Sequence, residues 1–103
     1  MKHFDNMSNF IKVMSSLSHP IRLRIINELI NERKYVSQLA RDLEIGRSLI
    51  NLHLKKLEDS GLINGYIEIL EDGKIGKYYE VVFEDIFINK EVIIQLVEKE
   101  IKK

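Results

Sequence analysis

Arg47, Ser48, Asn51 and Lys55 follow one another at intervals that bring them to one side of a helix, and each suits a different part of a nucleic acid. A guanidinium can donate two parallel hydrogen bonds to guanine, and a carboxamide can pair in the same two-point way with adenine. Arg47 and Asn51 are therefore the base-reading candidates, with Ser48 able to meet either a base or a phosphate. Lys55 and Lys56 are flexible point charges suited to phosphate oxygens, and Arg41, a few residues earlier, can serve the same backbone. Lys74 and Lys77 flank a turn from which a DNA backbone or minor groove is within reach, although Glu71 and Asp72 beside them repel phosphate. The competing reading of all these positions is a solvated polar face with ordinary solubilising charge.

Other chemistries are poorly provided for. The sequence has no cysteine, which excludes disulfides, thiolate metal ligands and cysteine nucleophiles. His3, His19 and His53 are scattered without a two-ligand spacing, so neither a metal site nor a cofactor is expected. His53 adjoins an apolar stripe and reads as a hydrogen-bonded helix residue. No glycine-rich phosphate loop or nucleophile elbow occurs. The neighbouring carboxylates Asp42 and Glu44, and Glu58 and Asp59, point apart on a helix, so the chain is not expected to be an enzyme.

The elements that must position these side chains follow from hydrophobic spacing. Met7, Phe10, Ile11, Met14 and Leu17 recur with helical period, giving a first helix over 5–17 with Asp5 as its N-cap. Pro20 fits the first turn of a second helix that carries Ile21, Ile25, Ile26, Leu29 and Ile30 and ends near Asn31 to Arg33. On it, Arg24 can pair with Glu28, and Arg22 is either structural or phosphate-facing. A short third helix runs from Ser37, its expected cap, to Leu43, with Leu39, Ala40 and Leu43 inward. Glu44-Ile45-Gly46 makes a turn into a fourth helix, Arg47 to Ser60, with Ile50, Leu54 and Leu57 inward and Gly61 as its stop. Two helices joined by a short turn containing Gly form a helix-turn-helix.

Beyond Gly61 the period changes to two. Ile63, Ile67 and Ile69 share one parity with Tyr79, Val81 and Phe83, which predicts two strands offering odd-numbered faces to the core. A two-residue turn would pair odd with even positions and expose one of those sets. The loop Glu71-Asp72-Gly73, with Gly73 left-handed, instead pairs Leu70 with Lys74 and sets Tyr79 across from Gly65, where the ring can cover bare backbone. A core role is expected for Tyr79, and Tyr78 can place a polar tip at the sheet surface. A fifth helix, about 89–102, begins at Asn89 and carries Ile93, Leu96, Val97 and Ile101, widened by Val92 and Ile94. The fold class is thus mainly α with a β-hairpin, in the order α-α-α-α-β-β-α.

The 103 residues suffice for one domain, 1–103, and 45% hydrophobic with 31% charged residues fits a folded chain. The N-terminus lacks the apolar run of a signal peptide, and no segment has the length of a bilayer span, so a cytoplasmic location without membrane contact is expected. Net charge is zero, yet Arg22, Arg24, Arg33, Lys34, Arg41, Arg47, Lys55 and Lys56 fall in the first sixty residues while acidic residues crowd the remainder. A neutral total can therefore hide a basic face. Amphipathic helices at both chain ends exceed what so small a core can cover, which points to a homodimer.

The segment Leu17-Ser18-His19-Pro20-Ile21-Arg22-Leu23-Arg24-Ile25-Ile26 resembles the opening of ArsR-type winged-helix repressors. Leu39-Ala40-Arg41-Asp42-Leu43, followed by Leu49 through Ile63 with its block His53-Leu54-Lys55-Lys56-Leu57 and Gly61-Leu62-Ile63, resembles their helix-turn-helix. The resemblance spans nearly the whole chain. It implies a winged helix-turn-helix fold in which the fourth helix enters the major groove of double-stranded DNA and the hairpin is the wing. It also implies a dimer interface on the terminal helices, where Phe10, Ile11, Met14, Ile93, Leu96, Val97 and Ile101 are the candidates. Two departures stand out. Gly46 replaces the usual Ser or Thr before the recognition helix, and Leu49 and Leu52 stand where small polar residues often face DNA. These leucines can meet thymine methyls or pack within the protein. The expected function is a sequence-specific, dimeric DNA-binding transcriptional regulator, a repressor; the alternative is a winged-helix protein-interaction module that does not bind DNA. The sequence names no small-molecule effector.

Overall fold

A computed structural model describes residues 4–102. Five helices and three strands are found among them: α1 (Met7–Leu17), α2 (Pro20–Asn31), β1 (Lys34–Tyr35), α3 (Val36–Leu43), α4 (Arg47–Asp59), β2 (Ile63–Ile69), β3 (Ile75–Val81) and α5 (Lys90–Ile101). The expected order holds, with β1 as an addition. Its two residues pair antiparallel with Tyr79 and Tyr78, giving a sheet in the order β1-β3-β2.

Most helix starts are set by side chains that reach free N–H groups, and those of α1 and α3 lie one and two residues from the expected caps. Asn6, not Asp5, caps α1, because its extended backbone lets Oδ1 accept from Asn9 N at 2.8 Å. His19 caps α2 through its ring, with Nδ1 accepting from Ile21 N at 3.1 Å and Pro20 next in the first turn. Tyr35, not Ser37, precedes α3, and the Gln38 side chain folds back to accept the Tyr35 N–H at 2.9 Å. Asn89 caps α5 as expected, accepting from Val92 N at 2.9 Å. The expected Arg24–Glu28 pair does not form. Lys34 Nζ lies between Glu28 at 2.8 Å and Asp42 at 3.1 Å, a largely covered position where attraction is less screened than on an open helix face. Arg24 turns instead to the Leu43 carbonyl at 3.4 Å.

The core joins all the helices except α5 to the base of the sheet. Val13, Ile25, Leu39, Ile50, Leu54, Leu57, Leu62 and Ile63 are fully buried. The hairpin register follows the parity argument: Ile69 pairs with Ile75 and Gly65 with Tyr79. Leu70 N donates to Lys74 O at 2.8 Å, and Gly73 is left-handed with φ 82°. The odd-numbered face is covered only at its base. Ile63 and Tyr79 are buried and Val81 and Phe83 half-buried, but Ile67, Ile69 and Ile75 are exposed, because the hairpin extends beyond the helical body. Tyr79 explains Gly65: a Cβ there would meet the Tyr79 ring at 2.8 Å.

Candidate nucleic-acid interface

The turn between α3 and α4 sets the angle at which α4 leaves the body. Glu44 is left-handed at φ 55°, and the Ile45 N–H donates back to Ala40 O at 2.9 Å, which closes α3. Gly46 then opens α4 without a side-chain cap, and its carbonyl accepts from Ile50 N at 3.0 Å. The inward side of α4 consists of Ile50, His53, Leu54 and Leu57, all buried.

Three polar ties fix the rear of α4. Arg22 Nε donates to His53 Nδ1 at 3.1 Å, and its NH1 group reaches the Ser15 and Ser16 carbonyls at 3.4 Å, so Arg22 is structural. The His53 ring lies against that of His19, tilted by 55° with centroids 4.6 Å apart. Burial, then the neighbouring His19 and Arg22, hold its imidazole below the usual range. Ser60 donates to Leu57 O at 2.8 Å and accepts from Ser16 Oγ at 3.0 Å, which joins the end of α4 to α1. Glu58 accepts the Gly65 N–H at 3.1 Å, which joins α4 to the wing.

The outward side carries the residues singled out from the sequence. Arg47, Ser48, Asn51, Lys55 and Lys56 are all exposed. Among the described residues, only Lys55 is engaged, through a loose pair with Asp59 at 3.8 Å. Leu49 and Leu52 are 44% and 54% exposed, so neither is buried in the core. Arg41 is exposed on the last turn of α3. Arg47 and Lys77 line one groove of about 200 Å³, which brings the start of α4 and the wing together. Lys77 also lies over the Tyr79 ring, 5.2 Å from its centroid. Lys74 is exposed at the wing tip, where Asp72 accepts its backbone N–H at 3.0 Å.

Sequence reasoning missed the brace on the other side of the wing. Arg33 sits 4.2 Å over the Tyr78 ring and 3.8 Å from Glu68, Tyr66 stacks on Tyr78 at 5.2 Å, and the Tyr35 hydroxyl donates to Glu68. The available signal was the even parity of Tyr66 and Tyr78, which the register places directly opposite each other.

On the terminal helices, Met7, Phe10, Ile11, Ile93, Leu96 and Val97 line a groove of about 150 Å³. Leu96 is buried and Met14 packs against the core, so both serve their own chain first. Ile11, Ile93, Val97 and Ile101 are exposed. Among the described residues no cluster of three or more His, Cys, Asp or Glu could hold a metal; His3 lies outside them. Among the described residues no helix is long and apolar enough to cross a membrane.

Comparisons agree with this architecture. The pattern of the "Bacterial regulatory protein, arsR family" matches residues 19–65. An uncharacterised HTH-type transcriptional regulator of Methanocaldococcus jannaschii is 33% identical over 90 residues, covering 87% of this chain and 94% of that one. HlyU from Vibrio cholerae has the same fold, with a TM-score of 0.65 at 21% identity over 98% of this chain and 100% of its own. So does a homodimeric winged helix-turn-helix DNA-binding domain from Mycobacterium bovis, described as a possible ArsR-family regulator, with a TM-score of 0.64 at 17% identity over 93% and 79%. With the arsR-family match over its helix-turn-helix and the M. jannaschii relative along most of its length, the chain belongs to the ArsR family of winged helix-turn-helix transcriptional regulators.

Proposed function

We propose that this regulator represses transcription as a homodimer that binds a near-palindromic DNA site, with one α4 in each of two successive major grooves about 34 Å apart. The observation that carries this reading is the two-sidedness of α4. A fully packed inner stripe holds it rigid, while Arg47, Ser48, Asn51, Lys55 and Lys56 project outward. Arg47 and Asn51 read base edges, with Ser48 on a base or phosphate. Lys55, Lys56 and Arg41 hold the phosphate backbone, and Lys74 and Lys77 reach it from the wing. The uncapped first turn of α4 adds free N–H groups where a phosphate can approach. The exposed isoleucines and Val97 on α1 and α5 form the self-complementary surface of the dimer, as the homodimeric M. bovis domain suggests. Repression follows from occupying a promoter, which places the protein with the chromosome in the cytoplasm.

Fluorescence anisotropy with the gene's own upstream duplex tests this, repeated at several salt concentrations. Affinity should fall steeply with salt, and Arg47→Ala with Lys55→Ala should weaken binding at least tenfold. Binding indifferent to both salt and the double substitution would refute it. The exposed leucines of α4 keep one other reading open, a module that binds protein instead of DNA. That reading requires the unaltered chain to ignore DNA and Leu52→Arg to abolish capture of a protein partner.

A further inference from the structure

The outward face of α4 is not wholly polar. A helix advances about 100° per residue, so the buried Ile50, Leu54 and Leu57 place Ser48, Leu52 and Lys55 on the far side. Leu49 falls at the margin, about a quarter turn away. A single exposed leucine is ordinary on a protein surface and carries no meaning by itself. Leu52, however, stands one turn after Ser48, beside Asn51 and one turn before Lys55 and Lys56. It is 54% exposed at the middle of a cationic surface. A duplex drawn in by those cations would press base edges against this isobutyl group.

The major groove offers hydrogen-bond donors and acceptors at every base pair, and one apolar group, the thymine 5-methyl. Leucine laid against a purine N7 or O6, or an amino group, strips water from a polar atom and returns no partner. Against a methyl group it removes two apolar surfaces from water together.

We propose that Leu52 reads a thymine methyl, so that the operator carries thymine at the position this side chain meets. The proposal rests on the DNA-binding reading above and adds a base identity to it.

The test selects duplexes from a random pool with the full chain. Each thymine of the enriched duplex is then replaced in turn by deoxyuridine, which keeps every hydrogen-bonding group and lacks only the methyl. At one thymine, or its symmetry-related pair, deoxyuridine should weaken binding by about fourfold per methyl. Leu52→Ser should bind the thymine and deoxyuridine duplexes equally at that position. Salt-dependent binding of an enriched duplex that tolerates deoxyuridine everywhere overturns the role of Leu52 and leaves the DNA-binding reading intact. A deoxyuridine loss undiminished in L52S also overturns it, and failure to enrich any duplex overturns both. The deoxyuridine scan of the unsubstituted chain needs no variant, so it decides the matter even where L52S folds poorly, and Leu52→Ala repeats the comparison.

Discussion

His53 is the residue that most directly ties the position of α4 to solution conditions. Its side chain is 4% exposed, and Nδ1 must remain unprotonated to accept from Arg22 Nε at 3.1 Å. The ring is therefore neutral, with its proton on Nε2. Acid would place a second cation against Arg22, and burial already opposes that form. The lowered folded value fixes the sign. Between it and the unfolded value of about 6.5 the unfolded chain binds more protons, so the contribution is full above that range and lost as pH falls through it. Urea denaturation at pH 7.5 and 5.5 should show lower stability at the acid end, by at most about 1.4 kcal/mol per pH unit from this group. His53→Gln offers an amide oxygen in place of Nδ1 and does not titrate, so it should flatten that difference. An equal pH dependence in H53Q would show that His53 is not the source.

At the scale of elements, the hairpin shows what patterning can and cannot specify. Gly65 has no room for a side chain: a Cβ would lie 2.8 Å from the Tyr79 ring and 3.1 Å from the Glu58 carboxylate that accepts its N–H. Gly65→Ala should cost about 1–3 kcal/mol in chemical denaturation, through overpacking. G65A combined with Tyr79→Leu should recover part of that loss, since the obstructing ring is gone; equal losses in the two variants would contradict this account. That Gly65–Tyr79 pairing was legible in the sequence because apolar parity admits one register and one loop length. The outward face of α4 was legible for the same kind of reason, the fixed angle between Ile50, Leu54 and Leu57. Period says which residues share a face but not how far the body reaches beneath it, so Ile67, Ile69 and Ile75 came out exposed. A two-residue strand such as Lys34–Tyr35 has no period to read. The competition that gave Glu28 to Lys34 instead of Arg24 is tertiary, decided by where α2 and α3 bring their ends.

At the scale of the whole molecule, the chain has zero net charge and a partly uncovered apolar end. Both bear on how one small domain can hold DNA. A single α4 with a few cations gives modest, salt-sensitive affinity, whereas two helices on one rigid body engage a site together and the second contact becomes intramolecular. In the proposed dimer the body that joins them is built from α1 and α5, where Ile93 is 49% and Ile101 76% exposed while Leu96 beneath them is already covered. Ile93→Glu with Val97→Glu places carboxylates on that surface without touching the buried core, so the helical circular dichroism spectrum should be unchanged. Sedimentation velocity at micromolar concentration should then change from a dimer in the parent to a monomer in the variant, since two like-charged patches would have to meet across the two-fold axis. Operator affinity should fall at least tenfold with it, although every α4 side chain is intact, and a half-site duplex should bind parent and variant alike. A variant that remains dimeric would move the interface away from the terminal helices, and one that becomes monomeric with full affinity would mean that a single α4 suffices.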